Sequence, residues 1–276
     1  MAAMTIDDDS EELEDLLEEA EAALDAGEVD KAIELLEPHA GDSDGHPEVR
    51  AMFGLALFYA GDYDDAFEYL VEAVDHDPDD AECRGALGVC HFFRLEFGTA
   101  EKELRRAILT EEDWAEAHYW LGRVLEFQGR YPQAMVSFQK AQTLDGDHYQ
   151  APRRIRDEDL DAVMQDAIAG LPPRIRTAID DVPVLVEEYP TEELLRETDP
   201  PFTPDILGIF TGVSQLDRST TASGTQPSTI HIFRRNIEHF VGEREEMVDE
   251  LRVTLLHEVG HALGMDEEEL EALGLE

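Results

Sequence analysis

The first half of the chain repeats itself with a period of 34 residues. Four windows of this length follow one another without insertion, starting at Leu13, Pro47, Ala81 and Ala115. The eighth position of each window is small, the twentieth is alanine and the twenty-fourth is large and apolar. In window order these positions hold Ala20, Gly54, Gly88 and Gly122, then Ala32, Ala66, Ala100 and Ala134, then Leu36, Leu70, Leu104 and Phe138. Small residues allow two helices to approach closely, so the repeat predicts an array of packed helix pairs.

The fifteenth position of the windows is where the first helix of each pair must end and turn. Glycine stands there in three windows, as Gly27, Gly61 and Gly129. Leu95 takes this place in the third window, so we expect a distorted turn there.

Residues 13–148 resemble four tetratricopeptide repeats, with predicted bounds 13–46, 47–80, 81–114 and 115–148. The resemblance implies a helical solenoid over residues 1–150 that holds a peptide or a partner protein. The alternative is an ordinary helical bundle. The first window is more acidic and less regular than the others, as is typical of a terminal cap.

The second half of the sequence predicts an α+β domain over residues 158–276, after a linker at 151–157. An apolar stripe from Leu160 to Leu171 predicts an amphipathic helix that ends at Gly170. Strands are predicted at 182–188, 206–213 and 229–233, and helix again at 236–240 and from 245 onward. The predicted fold class is therefore a helical repeat solenoid followed by a small domain with a short sheet and a metal-motif helix.

The composition limits the partners of the chain. Its net charge of −45 argues against nucleic acids and anionic membranes, and favours basic proteins or peptides. The excess of aspartate and glutamate over lysine and arginine reflects either a salt-rich cytoplasm or a merely acidic surface. No apolar run approaches the roughly 18 residues of a membrane span, and Cys83 and Cys90 are predicted to be buried in one helix, beyond disulfide reach. We therefore expect a cytoplasmic protein.

The sequence His257-Glu258-Val259-Gly260-His261 is the main chemical motif of the chain. On a helix the two histidines share one face, so both imidazoles can bind one zinc ion. Glu258 lies beside them and can take a proton from a zinc-bound water as general base. The apolar residues before the motif indicate a buried helix, and the alternative is a hydrogen-bonded structural cluster.

Gly264 stands three residues after His261, where a glycine can end the helix in a left-handed turn. The run from His257 to Glu267 then reads HExxHxxGxxE, which makes Glu267 the candidate third ligand. Asp266, or water or another group, is the alternative ligand, although Asp266 and Glu269 also match a helix cap and its partner.

Residues from about 160 to 276 resemble the small zincin-like metallopeptidases called minimal zincins. The segments that carry this resemblance are Leu171–Arg174, Val182–Glu188, Leu207–Gly212, Ile230–Arg234, Val253–His261 and the acidic ending with Leu270 and Leu273-Gly274. The resemblance implies zinc held by His257, His261 and the residue at the position of Glu267, where the family carries aspartate. The chain departs there, and the longer glutamate changes the reach of the ligand.

The sequence therefore predicts a zinc metallopeptidase whose repeats recruit a protein partner or substrate. The alternatives are an adaptor that retains zinc without catalysis, and a purely structural zinc. Several residues keep two interpretations: strand 229–233 as a substrate-binding edge or an ordinary strand, His231 as an oxyanion donor or a structural residue, and loop 219–224 as a lid or a connection. His239 and Tyr189 are predicted to be packing residues.

Overall fold

The computed structural model describes residues 6–41, 46–173, 176–177, 182–198, 200–212, 228–240 and 244–265. The chain divides into two compact units, Met1–Ala151 and Pro152–Glu276. None of the described helices is both long and apolar enough to cross a membrane.

The first unit consists of consecutive helices that pack in pairs. Their bounds are α1 (Ile6–Asp25), α2 (Val29–Ala40), α3 (Pro47–Ala60), α4 (Tyr63–His76), α5 (Ala81–Phe93), α6 (Phe97–Thr110), α7 (Ala115–Phe127) and α8 (Tyr131–Leu144). Each helix contacts the next one in the chain, and α1, α3, α5 and α7, the first helices of the pairs, also contact one another in order. This is the predicted helical solenoid; the bounds of the individual repeats stay a prediction.

The small residues of the repeat lie where the two helices of a pair meet. A Cβ atom added at Gly88 would lie 2.8 Å from Leu104 Cγ, and one added at Gly122 would lie 2.6 Å from Phe138 Cε1. Leu104 and Phe138 are the large residues of the same two windows, and both are fully buried. The predicted packing of small against large residues is thus confirmed.

The turn at Leu95 has the same conformation as the glycine turns. Its φ is 61°, against 72° at Gly27, 87° at Gly61 and 71° at Gly129. The residue after each turn donates its N–H to a carbonyl five residues back, as Glu96 does to His91 at 2.8 Å. The expectation of a distorted turn was therefore wrong. Leu95 is 4% exposed, and its burial offsets the steric cost of a left-handed leucine.

Cys83 and Cys90 are free thiols buried in α5, as predicted. Burial raises the pKa of both thiols, which leaves them unreactive near neutral pH. They act as small apolar core residues.

The second unit contains a helix followed by a three-stranded sheet and further helices. The bounds are α9 (Asp157–Gly170), β1 (Val184–Glu187), α10 (Glu192–Leu195), β2 (Gly208–Thr211), β3 (Thr229–Phe233), α11 (Arg234–Phe240) and α12 (Arg244–Leu263). The strand order is β1-β3-β2, with β1 parallel and β2 antiparallel to β3. The predicted helices and strands are present, but β3 is the central strand, so the interpretation of 229–233 as an edge was wrong.

One face of the sheet packs against α12 and forms the core of this unit. Ile230 and Ile232 of β3 are fully buried with Leu255 and Val259 of α12. Helix α9 packs along α12 and contributes Val163, Met164 and Ala167 to the same cluster. This core determines where the metal-motif helix lies.

The predicted linker is held against α11 by a buried carboxylate. Glu238 accepts hydrogen bonds from the Arg154 side chain at 2.8 Å and from the Ile155 backbone N–H at 3.0 Å. Arg235 donates to the same carboxylate at 2.8 Å. Residues 151–156 adopt no helix or strand, and Arg154 and Ile155 are fastened to α11 of the second unit.

Candidate metal centre

The two motif histidines come together on α12. The Nε2 atoms of His257 and His261 lie 3.0 Å apart, and their rings meet edge to face with centroids 4.7 Å apart. Both side chains are half-buried. The spacing of four residues therefore brings two imidazole nitrogens to one point, as predicted from the sequence.

The separation of these nitrogens fits a zinc ion. Two nitrogens at about 2.0–2.1 Å from a tetrahedral ion lie about 3.3 Å from each other. The observed 3.0 Å is close to this value and also suits a hydrogen bond between the rings. The two imidazoles can ligate a zinc ion, and the buried carboxylate of Glu258 beside them can accept a proton from a water on that ion.

Glu258 lies beside the histidines on the side of α12 that faces β2. It is 6% exposed. A Cβ atom at Gly208 of β2 would lie 3.2 Å from Glu258 Cγ and 2.8 Å from Thr254 Cγ2. The strand backbone thus packs directly against Glu258, and only glycine fits at position 208.

The role of Gly208 was missed from the sequence. The segment that contains it was recognised, but no contact was assigned to the glycine. An isolated glycine inside a short strand often marks a close approach of backbone to another element, and that signal was available.

Helix α12 ends immediately after the motif. Gly264 has a φ of 91°, its N–H donates to the His261 carbonyl at 2.9 Å, and the Met265 N–H donates to the Gly260 carbonyl at 3.0 Å. The predicted left-handed glycine turn is confirmed. Asp266, Glu267 and Glu269 lie outside the described residues, and within the described ones no group of three or more metal-binding side chains comes together.

The side chain of His231 lies on the opposite face of the sheet from α12. Its neighbours Ile230 and Ile232 point into the core with α12, and side chains alternate along a strand. His231 Nδ1 lies 2.6 Å from a Glu187 oxygen and Nε2 lies 3.2 Å from Thr211 Oγ1. Of its two interpretations, the structural one agrees with this geometry, which places the side chain on the sheet face away from Glu258 and the motif histidines.

The remaining candidates of the second unit are Tyr189, His239 and the loop 219–224. Tyr189 Oη lies 3.5 Å from His239 Nε2, in agreement with a packing role for both. The loop 219–224 lies outside the described residues.

Known families match each unit separately. A model of the zincin-like metallopeptidases matches residues 179–275. Two models of the tetratricopeptide repeat match residues 57–122 and 115–148. Both resemblances drawn from the sequence are thereby confirmed, and the zincin match includes the whole HExxH motif.

Solved structures resemble about half of the chain. A crystal structure of MamA is 26% identical, covers 46% of this chain and 74% of its own, and has a TM-score of 0.39. YrrB, described as a TPR protein with an unusual peptide-binding site, is 19% identical, covers 47% of this chain and 66% of its own, and has a TM-score of 0.40. No curated protein matches the chain.

Proposed function

We propose that the chain is a zinc-dependent peptidase whose repeats bind a protein partner or substrate. One observation carries the proposal: the Nε2 atoms of His257 and His261 converge to 3.0 Å on the same helix as the buried Glu258. A purely structural zinc has no need of such a carboxylate. The match to zincin-like metallopeptidases supports the same activity.

The proposed roles follow from the positions of the side chains. His257 and His261 hold the ion, and Glu267 is the proposed third ligand on the basis of its spacing. When bound, zinc acidifies water and polarises the scissile carbonyl. Glu258 accepts the proton of the attacking water and then transfers it to the leaving amine.

The extended substrate is proposed to lie along β2. This strand pairs with β3 on one side, and its Gly208 lies against Glu258. A peptide that adds to the other side of β2 as a further strand would hydrogen-bond to its backbone and come close to the general base. In this proposal β2, and not strand 229–233, is the strand that binds the substrate.

The repeat unit is proposed to recruit the partner, because tetratricopeptide arrays present stacked helix faces to peptides and proteins. The net charge of −45 disfavours nucleic acids and anionic membranes as partners, because both would be repelled. A reducing compartment, the cytoplasm, is proposed because both cysteines are free and buried.

The test compares zinc content and peptide cleavage across variants of the full chain. We expect about one zinc per wild-type chain, and most of it lost in His261→Ala. Glu258→Gln should keep zinc and reduce cleavage by about 100-fold or more, because the ligands stay and the proton acceptor is removed. Glu250→Gln, the same change two turns earlier in α12, is the matched control and should cleave at the wild-type rate.

The third ligand is tested separately. Glu267→Ala should lower zinc affinity, with partial recovery of activity in excess zinc, and Glu267→Asp should retain zinc. Absence of zinc from wild type refolded with zinc would refute the metal site. If wild type and Glu258→Gln both hold zinc and neither cleaves a broad proteome-derived peptide library, the chain is an adaptor with an idle zincin unit.

A further inference from the structure

The first helices of the last three pairs present a face that carries acids and aromatic rings. Helices α3, α5 and α7 lie side by side along the repeat unit. Tyr59 at the end of α3 is 41% exposed, and Glu82 of α5 is also exposed. We call Tyr59, Glu82, Glu116, Trp120 and Tyr149 the first-helix cluster.

Two hydrogen bonds join members of the first-helix cluster, one across helices and one within α7. Tyr59 Oη donates to Glu82 Oε1 at 2.8 Å. The Glu116 carboxylate accepts a hydrogen bond from Trp120, one turn further along α7. The ring of Tyr149, beyond α8, lies 5.5 Å from that of Tyr119, which extends the aromatic surface.

The two carboxylates of the first-helix cluster are surrounded by like charge. Burial raises the pKa of Glu82 and of Glu116, and the negative charge of Glu82 raises that of Glu116 further. The charges that act on Glu82 come from Asp80, Glu111 and Glu21, all acidic. Among the described residues, no lysine, arginine or histidine pairs with either carboxylate.

The second helix of the third pair shows the opposite arrangement. Glu103 of α6 is buried and forms ion pairs with Arg84 and, at 3.2 Å, with Lys102. Burial alone would raise the pKa of Glu103, but these hydrogen bonds hold it below its ordinary value. The chain thus neutralises a buried acid inside a helix pair and leaves the acids of the first-helix face without a cation.

We propose that the first-helix cluster binds an arginine or lysine side chain on a segment of a partner protein. The cation would neutralise the carboxylates of Glu82 and Glu116 and stack on the rings of Tyr59, Trp120 and Tyr149. The complementarity extends to the whole chain, whose net charge of −45 attracts a basic segment before contact. This inference rests on the proposed protein-binding role of the repeats.

The experiment selects peptides from a random displayed library with the full chain. Every protein carries Glu258→Gln, so that the binding result does not depend on cleavage by the second unit. Wild-type repeats should select peptides rich in lysine and arginine. The selected peptides, labelled for fluorescence anisotropy, should bind the Glu82→Gln/Glu116→Gln variant at least about tenfold more weakly.

The matched control removes two negative charges elsewhere in the repeat unit. Glu68 and Asp75 are exposed residues of α4, so Glu68→Gln/Asp75→Asn makes the same change in net charge away from the first-helix face. It should bind the selected peptides within about twofold of wild type. Equal weakening of the control and the Glu82→Gln/Glu116→Gln variant would reduce the effect to overall charge and overturn the assigned site.

The stability of the peptide-free chain separates a binding role from a structural one. Because their pKa values are raised, ionised Glu82 and Glu116 destabilise the folded repeats at neutral pH. The Glu82→Gln/Glu116→Gln variant should therefore unfold at a higher urea concentration than wild type while it binds more weakly. A lower unfolding midpoint would make these carboxylates structural and overturn the proposal.

The remaining outcomes also decide between hypotheses. If no peptide of any charge is selected, the protein-binding role of the repeats fails together with this inference. If peptides without lysine or arginine are selected, or if the Glu82→Gln/Glu116→Gln variant binds them as wild type does, only the inference fails. If light scattering shows a wild-type dimer and a monomeric double variant, the occupant is a second copy of the chain, and the partner assignment is wrong.

Discussion

The close approach of α5 and α6 makes Gly88→Ala a quantitative test of the repeat packing. The added Cβ would lie 2.8 Å from Leu104 Cγ and 3.2 Å from the Leu104 backbone nitrogen. Carbon atoms in contact normally lie about 3.5–4.0 Å apart, so the helices must separate by several tenths of an ångström. Such overpacking costs about 2–3 kcal/mol, and the better helix propensity of alanine returns about 1 kcal/mol. We expect a net loss of about 1–2 kcal/mol.

The matched control is Gly98→Ala in α6. No atom lies within 4 Å of a Cβ at Gly98, which is exposed. The same substitution should therefore stabilise the unit by at most about 1 kcal/mol, through helix propensity alone. One glycine-to-alanine change should lower the free energy of unfolding and the other should raise it.

Tryptophan fluorescence during urea denaturation isolates the repeat unit, because the only two tryptophans of the chain, Trp114 and Trp120, belong to it. At a typical urea dependence of about 1–3 kcal/mol per molar, the midpoint of Gly88→Ala should fall by about 0.3–2 M. Equal shifts in the same direction for Gly88→Ala and Gly98→Ala would refute the steric reasoning.

Substitutions at three further positions test other contacts. Leu95→Gly should be more stable than Leu95→Ala by about 1 kcal/mol in urea denaturation, since both lose the buried side chain and only glycine relieves the positive φ; the reverse order would contradict this account. Glu103→Gln should cost roughly 3 kcal/mol at neutral pH, because it leaves Arg84 buried without its counter-charge. Since the folded-state pKa of Glu103 is lowered, this loss should shrink as the pH falls below about 4.5, and a loss independent of pH would refute the ion-pair explanation. Gly208→Ala should retain zinc and lower kcat by about tenfold through displacement of Glu258, whereas unchanged kcat would show that β2 does not position the base.

The repeat architecture could be predicted because the same contact recurs along the sequence. A small residue at the eighth position faces a large residue sixteen places later, as Gly88 faces Leu104, so one observation is repeated in each window. The turn at Leu95 was predicted wrongly because the prediction used only the residue type at the turn and not the burial of its side chain. A leucine adopts the left-handed conformation when the core around it stabilises it, and burial is a tertiary property.

The sheet could be predicted strand by strand but not in its order. The three strands have four or five residues each, and their pairing brings together segments some 20 to 45 residues apart, such as Val184 with Ile230. Nothing in the local pattern of 229–233 distinguishes a central strand from an edge. The register also determines that Ile230 points into the core and His231 away from it, which a sequence pattern gives only as an alternation.

The metal site shows the same boundary between local and tertiary information. The convergence of His257 and His261 follows from helix geometry alone, so a spacing of four residues was sufficient to predict it. The environment of Glu258 depends on the backbone of β2, which begins 50 residues earlier in the chain at Gly208. A general base needs the metal ligands beside it on its own helix and a packed surface that limits its rotamers. The local sequence determines only the ligands, whereas the packed surface comes from β2.

Among the described residues, no cation of the chain pairs with the acids of the first-helix cluster. Elsewhere in the repeat unit the chain supplies cations to carboxylates, as Arg84 does for the buried Glu103 and Arg130 does for the half-buried Glu101 at 2.6 Å. Glu82 and Glu116 instead keep raised pKa values beside aromatic rings. A carboxylate that no cation of the chain neutralises gains more from the cation of a bound partner than one that already has an ion pair. Glu82 and Glu116 would therefore favour a basic partner over a neutral or acidic one.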